Sequence, residues 1–450
     1  MYRPIAERFM TFCDTYRSYF RVARHNASEK ARSYLAGLLM KAPRKNMERM
    51  EEYVAAYDYE AQQQFLSDSP WDHRGLIARV GRDVDVLVGG PESALVVDES
   101  AFGKKGDKSV GVARQWNGRL GKIDNCQVGV FAGLSDGQRC GLVDLRLYLP
   151  ERWAADPQRC EAAKIPLTER TCKSKAELAL EMVNAAAANG LRFGWVALDS
   201  GYGKLPWLLR AIDDLGRRFV ADVARNQTLY REDPRPYLPR RTQRLGRKYT
   251  HRQSRVEGVD IQAFFEKLPA NAWHWVTIRH STKGPLRVQA CRRRVWLWDG
   301  EEKQARCWWA VCIREVATGE IKWFLSNTMQ GASLRTLVAK HAIRFWIERT
   351  FQDAKTSAGM ADYQARGWLA WHHHMTLVIL ALLFMLRERK LHHRDIELLS
   401  CQDIVELLNL YLPRADATEE AVLLNLQRRH LKRRSAIQSA QHRRGVSAVA

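Results

Sequence analysis

The sequence has few acids for its bases, no long apolar run and no ordered spacing of cysteines. Its nine Cys include no pair separated by two residues, and the closest couple, Cys307 and Cys312, is interleaved with Trp and Val in a strand-like run. That excludes a zinc-finger type of ligand set and a disulfide framework, and predicts buried free thiols. The longest apolar run, from Met375 to Leu386, falls short of the roughly 20 residues that cross a bilayer. It predicts a buried helix and no membrane partner. The opening MYRPIAERFMTFCDTY carries acids and lacks the apolar stretch of a signal peptide, so a cytoplasmic location is expected. Against 50 Asp and Glu stand 72 Lys and Arg, a net charge of +22. A surplus of that size calls for a polyanion, and nucleic acid is the first candidate.

What is present is enough for several domains: 450 residues with 46% hydrophobic and 10% aromatic side chains. Residues 1–90 show helical spacing with interleaved Arg and Lys (YLAGLLMKAPRKNMERMEEYVAAY), broken at SDSPWD, and predict a helical, basic DNA-binding domain. Over 91–225, the runs SALVVDES, SVGVARQW, NCQVGVFAGL and LVDLRLYLP read as strands with hairpin-length connections. A helix over about 174–188, the strand FGWVALD, a helix over about 205–215 and the strand RRFVADV follow. This order predicts an α/β fold with a mixed sheet flanked by helices. Residues 226–330 interrupt it. They open on a stretch from Arg235 to Arg255 with eight Arg or Lys and no acid, including Arg240, Arg241, Arg244, Arg247 and Lys248, and continue as a β-rich insertion. Residues 331–375 return to the core with the amphipathic IRFWIERTFQDAKTSAG, and 376–450 form a helical region ending in the basic RRHLKRR.

Three acids stand in conspicuous places. Asp98 and Asp199 each close an apolar strand, and Glu348 lies in a helix rich in Phe, Trp and Ile. Strand ends are where ligand sites form in α/β folds, and carboxylates without a Cys or His cluster suit Mg²⁺. Two such ions about 4 Å apart stabilise the attacking and leaving oxygens of a phosphoryl displacement. Taken singly, each acid is more simply a turn cap or a solvated helix residue. Glu99 is an alternative to Asp98, since adjacent strand residues face opposite ways and the alternation does not choose between them. Asp353 is a poor substitute for Glu348, lying about 140° away around the helix. Arg344 and Lys355 lie within about 40° of Glu348, so one face presents Arg, Glu and Lys together, either as a salt-bridged surface or as a metal-binding Glu flanked by phosphate-gripping cations. Lys104 and Lys105, in the turn after the first Asp, are further candidates for phosphate contact.

These residues carry a resemblance. The stretches YLAGLLMKAPRKNMERM, FLSDSPWD, VVDESAFGKKGDKSVGVARQWNGRLGKIDNCQVGVF, LDSGYG and RFWIERTFQDAK…YQARGWLAWHHH resemble DDE transposases of bacterial insertion sequences, in particular the insertion-sequence seven-oh-one group. The resemblance runs from about residue 30 to about 390. It implies an RNase H-like core interrupted by the insertion, with Asp98, Asp199 and Glu348 as metal-binding triad for two Mg²⁺ ions, or Mn²⁺ in their place. The chain is also similar to transposases with a Tyr-Arg-Glu-Lys signature, whose last three members fall on Arg344, Glu348 and Lys355 and whose Tyr position is His341, a further candidate for a phosphate contact. The implied function is cut-and-paste transposition. A dimer would bind the inverted-repeat ends of its element, hydrolyse a phosphodiester and join the 3′-OH to target DNA. The competing readings are a transposase-derived DNA-binding protein without catalysis and an RNase H-like nuclease that does not join strands.

Seven of the fifteen Trp fall in the insertion. Related transposases hold a flipped base with a Trp there, which makes Trp296 and Trp298 stacking candidates, although their i,i+2 spacing is equally that of a sheet core. His372, His373 and His374 point about 100° apart on a helix and do not converge on one ion.

Overall fold

The computed structural model describes residues 4–23, 25–239, 249–281, 284–416 and 418–443. Its centre is one ten-stranded mixed sheet. The strands are β1 (Gly90–Gly103), β2 (Ala113–Asn117), β3 (Lys122–Ser135), β4 (Cys140–Leu147), β5 (Phe193–Leu198), β6 (Arg218–Val223), β7 (His274–Ser281), β8 (Gly284–Leu297), β9 (Arg306–Arg314) and β10 (Ile321–Ser326). Five of them lie in the order β4-β3-β1-β5-β6, with β3 antiparallel to β1 and to β4, and β5 and β6 parallel to β1. Three antiparallel strands followed by two parallel ones make an RNase H-like core. The parallel steps need crossovers, supplied by helix Lys175–Ala188, whose Ser174 and Glu177 form a capping box, and by Pro206–Asp214.

The insertion extends this same sheet. β10 pairs antiparallel with β6, Phe324 opposite Asp222, and β9, β8 and β7 continue outward as a meander. Strand content fails where SVGVARQW is expected to be extended throughout. Gly111 has φ +71° and Val110 N–H bonds to Arg366 O, so only Ala113–Asn117 pairs, against the outer edge of β3.

The buried helix expected at Met375 to Leu386 is longer than its apolar run, spanning Trp368–Leu391. Its length and hydropathy would suit a membrane span, but 94% of its most apolar window is buried inside the protein. It packs against β4 and against helices Ser28–Leu39, Tyr59–Ser67 and His73–Val88, so the N-terminal helices share one apolar core with the sheet. All nine Cys are free thiols.

Candidate active site

Register places the acids. Val97 on β1 is opposite Leu198 on parallel β5, so the next residues along the two strands are Asp98 and Asp199. Leu198 is in turn opposite Ala221 on β6, which brings a further acid, Asp222, into the same row. Asp98 lies across from Phe131 on β3, and cross-strand partners share a face. The Phe131 ring meets Phe351 of helix Phe345–Ser357 edge-on at 5.4 Å, so Asp98 faces that helix. Glu99 points the other way and ion-pairs with Lys175 Nζ at 2.5 Å. Asp199 sits at the head of a short helical turn, where Oδ1 accepts a bond from Tyr202 N–H at 3.2 Å. The helix comes close to the sheet because β3 carries Gly133 beneath it: a Cβ there would stand 3.3 Å from Ile347 Cδ1. Asp98, Asp199, Arg344, Glu348 and Lys355 consequently line one cleft.

Arg344 ties the cleft together. Its Nη1 lies 3.0 Å from Glu348 Oε1 and 3.7 Å from Asp98 Oδ2, and its Nε lies 3.5 Å from Asp222 Oδ2. The other oxygen of Asp222 lies 2.5 Å from His341 Nε2, and the imidazole stacks on Phe324 with centroids 4.5 Å apart. Burial disfavours the Asp222 carboxylate, but His341 and Arg344 more than offset it and hold its pKa below the ordinary value. Burial likewise works against the Arg344 charge, and Asp222, Glu348, Asp98 and Asp199 together raise its pKa. At Asp98 the balance falls the other way. Burial first, then the charge of Asp199, push its carboxyl up to about 7 despite Arg344.

The donor set fits a hard dication. The cleft offers the carboxylates of Asp98, Asp199 and Glu348, with Glu99 at its edge turned onto Lys175, and no sulfur, and the imidazole nearest to it is turned onto Asp222. Among the described residues no three acids, Cys or His are gathered closely enough to hold an ion as they stand. Arg344 spans Glu348 and Asp98 instead, and the Glu348 side chain is 52% exposed.

The other expected contact residues separate. Lys355 borders the cleft, its pKa lowered by burial. Lys104 turns inward, donating to Tyr363 O at 3.3 Å with Nζ 3.5 Å from that ring's centroid, and burial lowers its pKa to about 8. Lys105 is exposed. Trp296 and Trp298 are half-buried and line none of the carboxylate cleft; Trp298 Nε1 donates to Glu302 O. Arg240, Arg241, Arg244, Arg247 and Lys248 lie outside the described residues. Asp353 turns away to Arg349 and Arg389. His372, His373 and His374 are fully buried in helix packing. Sequence reasoning passes over Asp222, whose only signal is its place at the end of the strand after Asp199, and over Trp116 and Arg119, which line the cleft from the β2–β3 hairpin.

Comparison with known proteins places the chain in a family. The family model described as DDE superfamily endonuclease matches residues 18–285, a span that includes Asp98 and Asp199 and ends before Glu348. The chain is 28% identical over 359 residues, 78% of its own length and 80% of the other's, to the "Probable transposase for insertion sequence element IS701" of Microchaete diplosiphon. A solved structure, the piggyBac transposase synaptic complex with hairpin DNA, aligns over 94% of this chain and 82% of that one with a TM-score of 0.44 and 10% identity.

Proposed function

The chain belongs to the DDE superfamily of endonucleases, and on that footing we propose that it is the transposase of an insertion sequence, cleaving the ends of its element and joining them to target DNA. The observation that carries this reading is the row of carboxylates on adjacent strands facing Glu348 across one cleft.

Asp98, Asp199 and Glu348 are the residues that would hold Mg²⁺, or Mn²⁺ in its place. A metal held by these carboxylates would supply Lewis-acid polarisation of the phosphodiester and charge stabilisation of the attacking and leaving oxygens. Arg344 and Lys355 offer cations to the phosphates on either side, and Arg344 neutralises the acids until DNA and metal arrive. Water is the first nucleophile and the freed 3′-OH the second, so no side chain needs to become covalently attached. The N-terminal helices, the basic segment from Arg235 and the C-terminal helix Glu419–Arg443, with the exposed Arg433 and Arg434, supply positive charge for duplex DNA. Joining two ends requires two active sites, which supports a homodimer on DNA, working in the bacterial cytoplasm.

The test is a strand-transfer assay with Mg²⁺ on duplexes carrying the inverted repeats that flank the gene. Joined products are expected. Cleavage without joining would favour a plain nuclease, and specific binding without cleavage a non-catalytic DNA-binding protein.

A further inference from the structure

Beside the carboxylates stands a hairpin that the triad does not explain. Its strands are β2 and the start of β3, joined through Gly118–Gly121 with Gly121 at φ +61°. Trp116 is directly opposite Ile123. Trp116 is 53% exposed, Ile123 59% and Leu120 46%, so the tip carries three large apolar side chains that the protein leaves in water. Their direction follows from alternation. Ile123 and Phe131 are eight residues apart on β3 and share a face, which is the face of Asp98 and helix Phe345–Ser357. Along β2 the neighbours of Trp116 point inward, Asn117 being buried and Gln115 Nε2 donating to Cys126 O. The hairpin is therefore stabilised by its inward side, and the Trp116 side is not needed for packing. Trp116, Gly118 and Arg119 line the same cleft as Asp98, Asp199 and Glu348, and Arg119 lies close enough to Lys355 to depress its pKa.

We propose that the Trp116 indole is a stacking platform for one unpaired base next to the scissile phosphate, with Arg119 and Lys355 taking the phosphates on either side of that nucleotide. This rests on the reading of the cleft as a DNA-cleaving site. An exposed indole offers its π-face to any base, whereas paired bases within a duplex present theirs only to each other. An apolar tip between cations complements a splayed nucleotide, which has an apolar face and an anionic backbone. The same tip would be poorly matched to the outside of a duplex, where phosphates dominate. Leu120 and Ile123 extend the apolar surface as a wedge against the neighbouring base pair, a role that aliphatic side chains take where duplexes are unstacked.

The experiment compares wild type, W116A and W116F on two probes of one sequence, the terminal repeat flanking the gene, both without divalent metal. One probe is fully paired and the other is forked, with a short unpaired arm at the terminus and 2-aminopurine as its first unpaired base. Wild type is expected to bind the fork more tightly than the duplex and to quench the 2-aminopurine. W116A should lose about tenfold in affinity on the fork, the scale of one base–aromatic stack, with the duplex unchanged and the quenching gone, and W116F should retain most of both. Equal affinities of wild type and W116A for the fork overturn the proposal, as does an equal loss on both probes. A W116A chain that changes oligomeric state in sedimentation also overturns it, making the tip a self-association surface. Wild-type cleavage with Mg²⁺ is run alongside: cleavage with an indifferent W116A removes the platform and leaves the transposase reading standing, whereas a wild type that neither binds nor cleaves either probe removes both.

Discussion

Nε2 of His341 lies 2.5 Å from Oδ1 of Asp222, while Asp222 Oδ2 lies 3.5 Å from Arg344 Nε. One half-buried acid thus takes the His341 imidazole with one oxygen and the cleft's central cation with the other. His341 is committed to that pairing and to the Phe324 ring, and it is linked to Arg344 through Asp222. D222N keeps the shape and removes the charge that restrains Arg344. Cleavage should fall by about 10- to 100-fold, the usual cost of losing an outer-shell partner, with DNA affinity changed less than threefold, roughly. Single-turnover cleavage and anisotropy binding check this, and a D222N chain that cleaves at the wild-type rate would release Asp222 from the role.

Asp98 and Glu99 are neighbours with opposite faces, so their variants should part company. D98N is expected to abolish cleavage. E99Q loses only a partly exposed ion pair with Lys175, worth about 1 kcal/mol or less, and should cleave within about twofold of wild type. A pair of cleavage time courses decides between the two carboxylates.

Lys104 and Lys355 should separate in the same manner. K104M removes a cation buried against Tyr363 and is expected to cost about 1 kcal/mol of stability while leaving DNA affinity alone. K355A should weaken DNA binding and reduce its salt slope by about 1, with stability little changed. Urea midpoints and salt-titrated affinities give both readouts.

The histidine cluster makes the fold acid-labile. Nδ1 of His372 donates to Trp368 O and Nδ1 of His373 to Leu66 O, and Nε2 of each is buried with no hydrogen-bond partner among the described residues. Burial depresses His73 to about 4, His373 and His374 to about 3, and His372 well below its ordinary value. Unfolded, all four take up protons near pH 6.5. As pH falls below that point the unfolded chain binds more protons than the folded one, so stability drops, by about 1.4 kcal/mol per pH unit for each histidine involved. Urea unfolding at pH 7, 6 and 5 should show the drop, and H373F should lower its slope by about one proton.

Much of this was legible in the residues. The core strands and their order along the chain announce themselves through apolar runs ending at Asp98 and Asp199, and the helix expected over about 174–188 is the crossover helix Lys175–Ala188. Helical arithmetic put Arg344 beside Glu348 and turned Asp353 away. What stayed hidden depends on pairing between distant segments. Nothing in RRFVADV marks Asp222 as lying beside Asp199, because that follows from strand register. Nor does IKWFLSNT reveal that it pairs with β6, about 100 residues earlier, and so continues the core sheet. Trp116 looked like any strand aromatic until β2 proved to be a short strand at the edge of β3 with its outer side uncovered.

The measurement closest to the central claim is Mg²⁺-dependent cleavage of an end duplex by wild type, D98N, D199N and E348Q, each checked for end binding without metal. All three variants should bind as wild type does and lose cleavage by at least about 10³-fold, since the acids act as one unit. A D199N chain that binds its ends and still cleaves them at a rate near wild type would contradict the account.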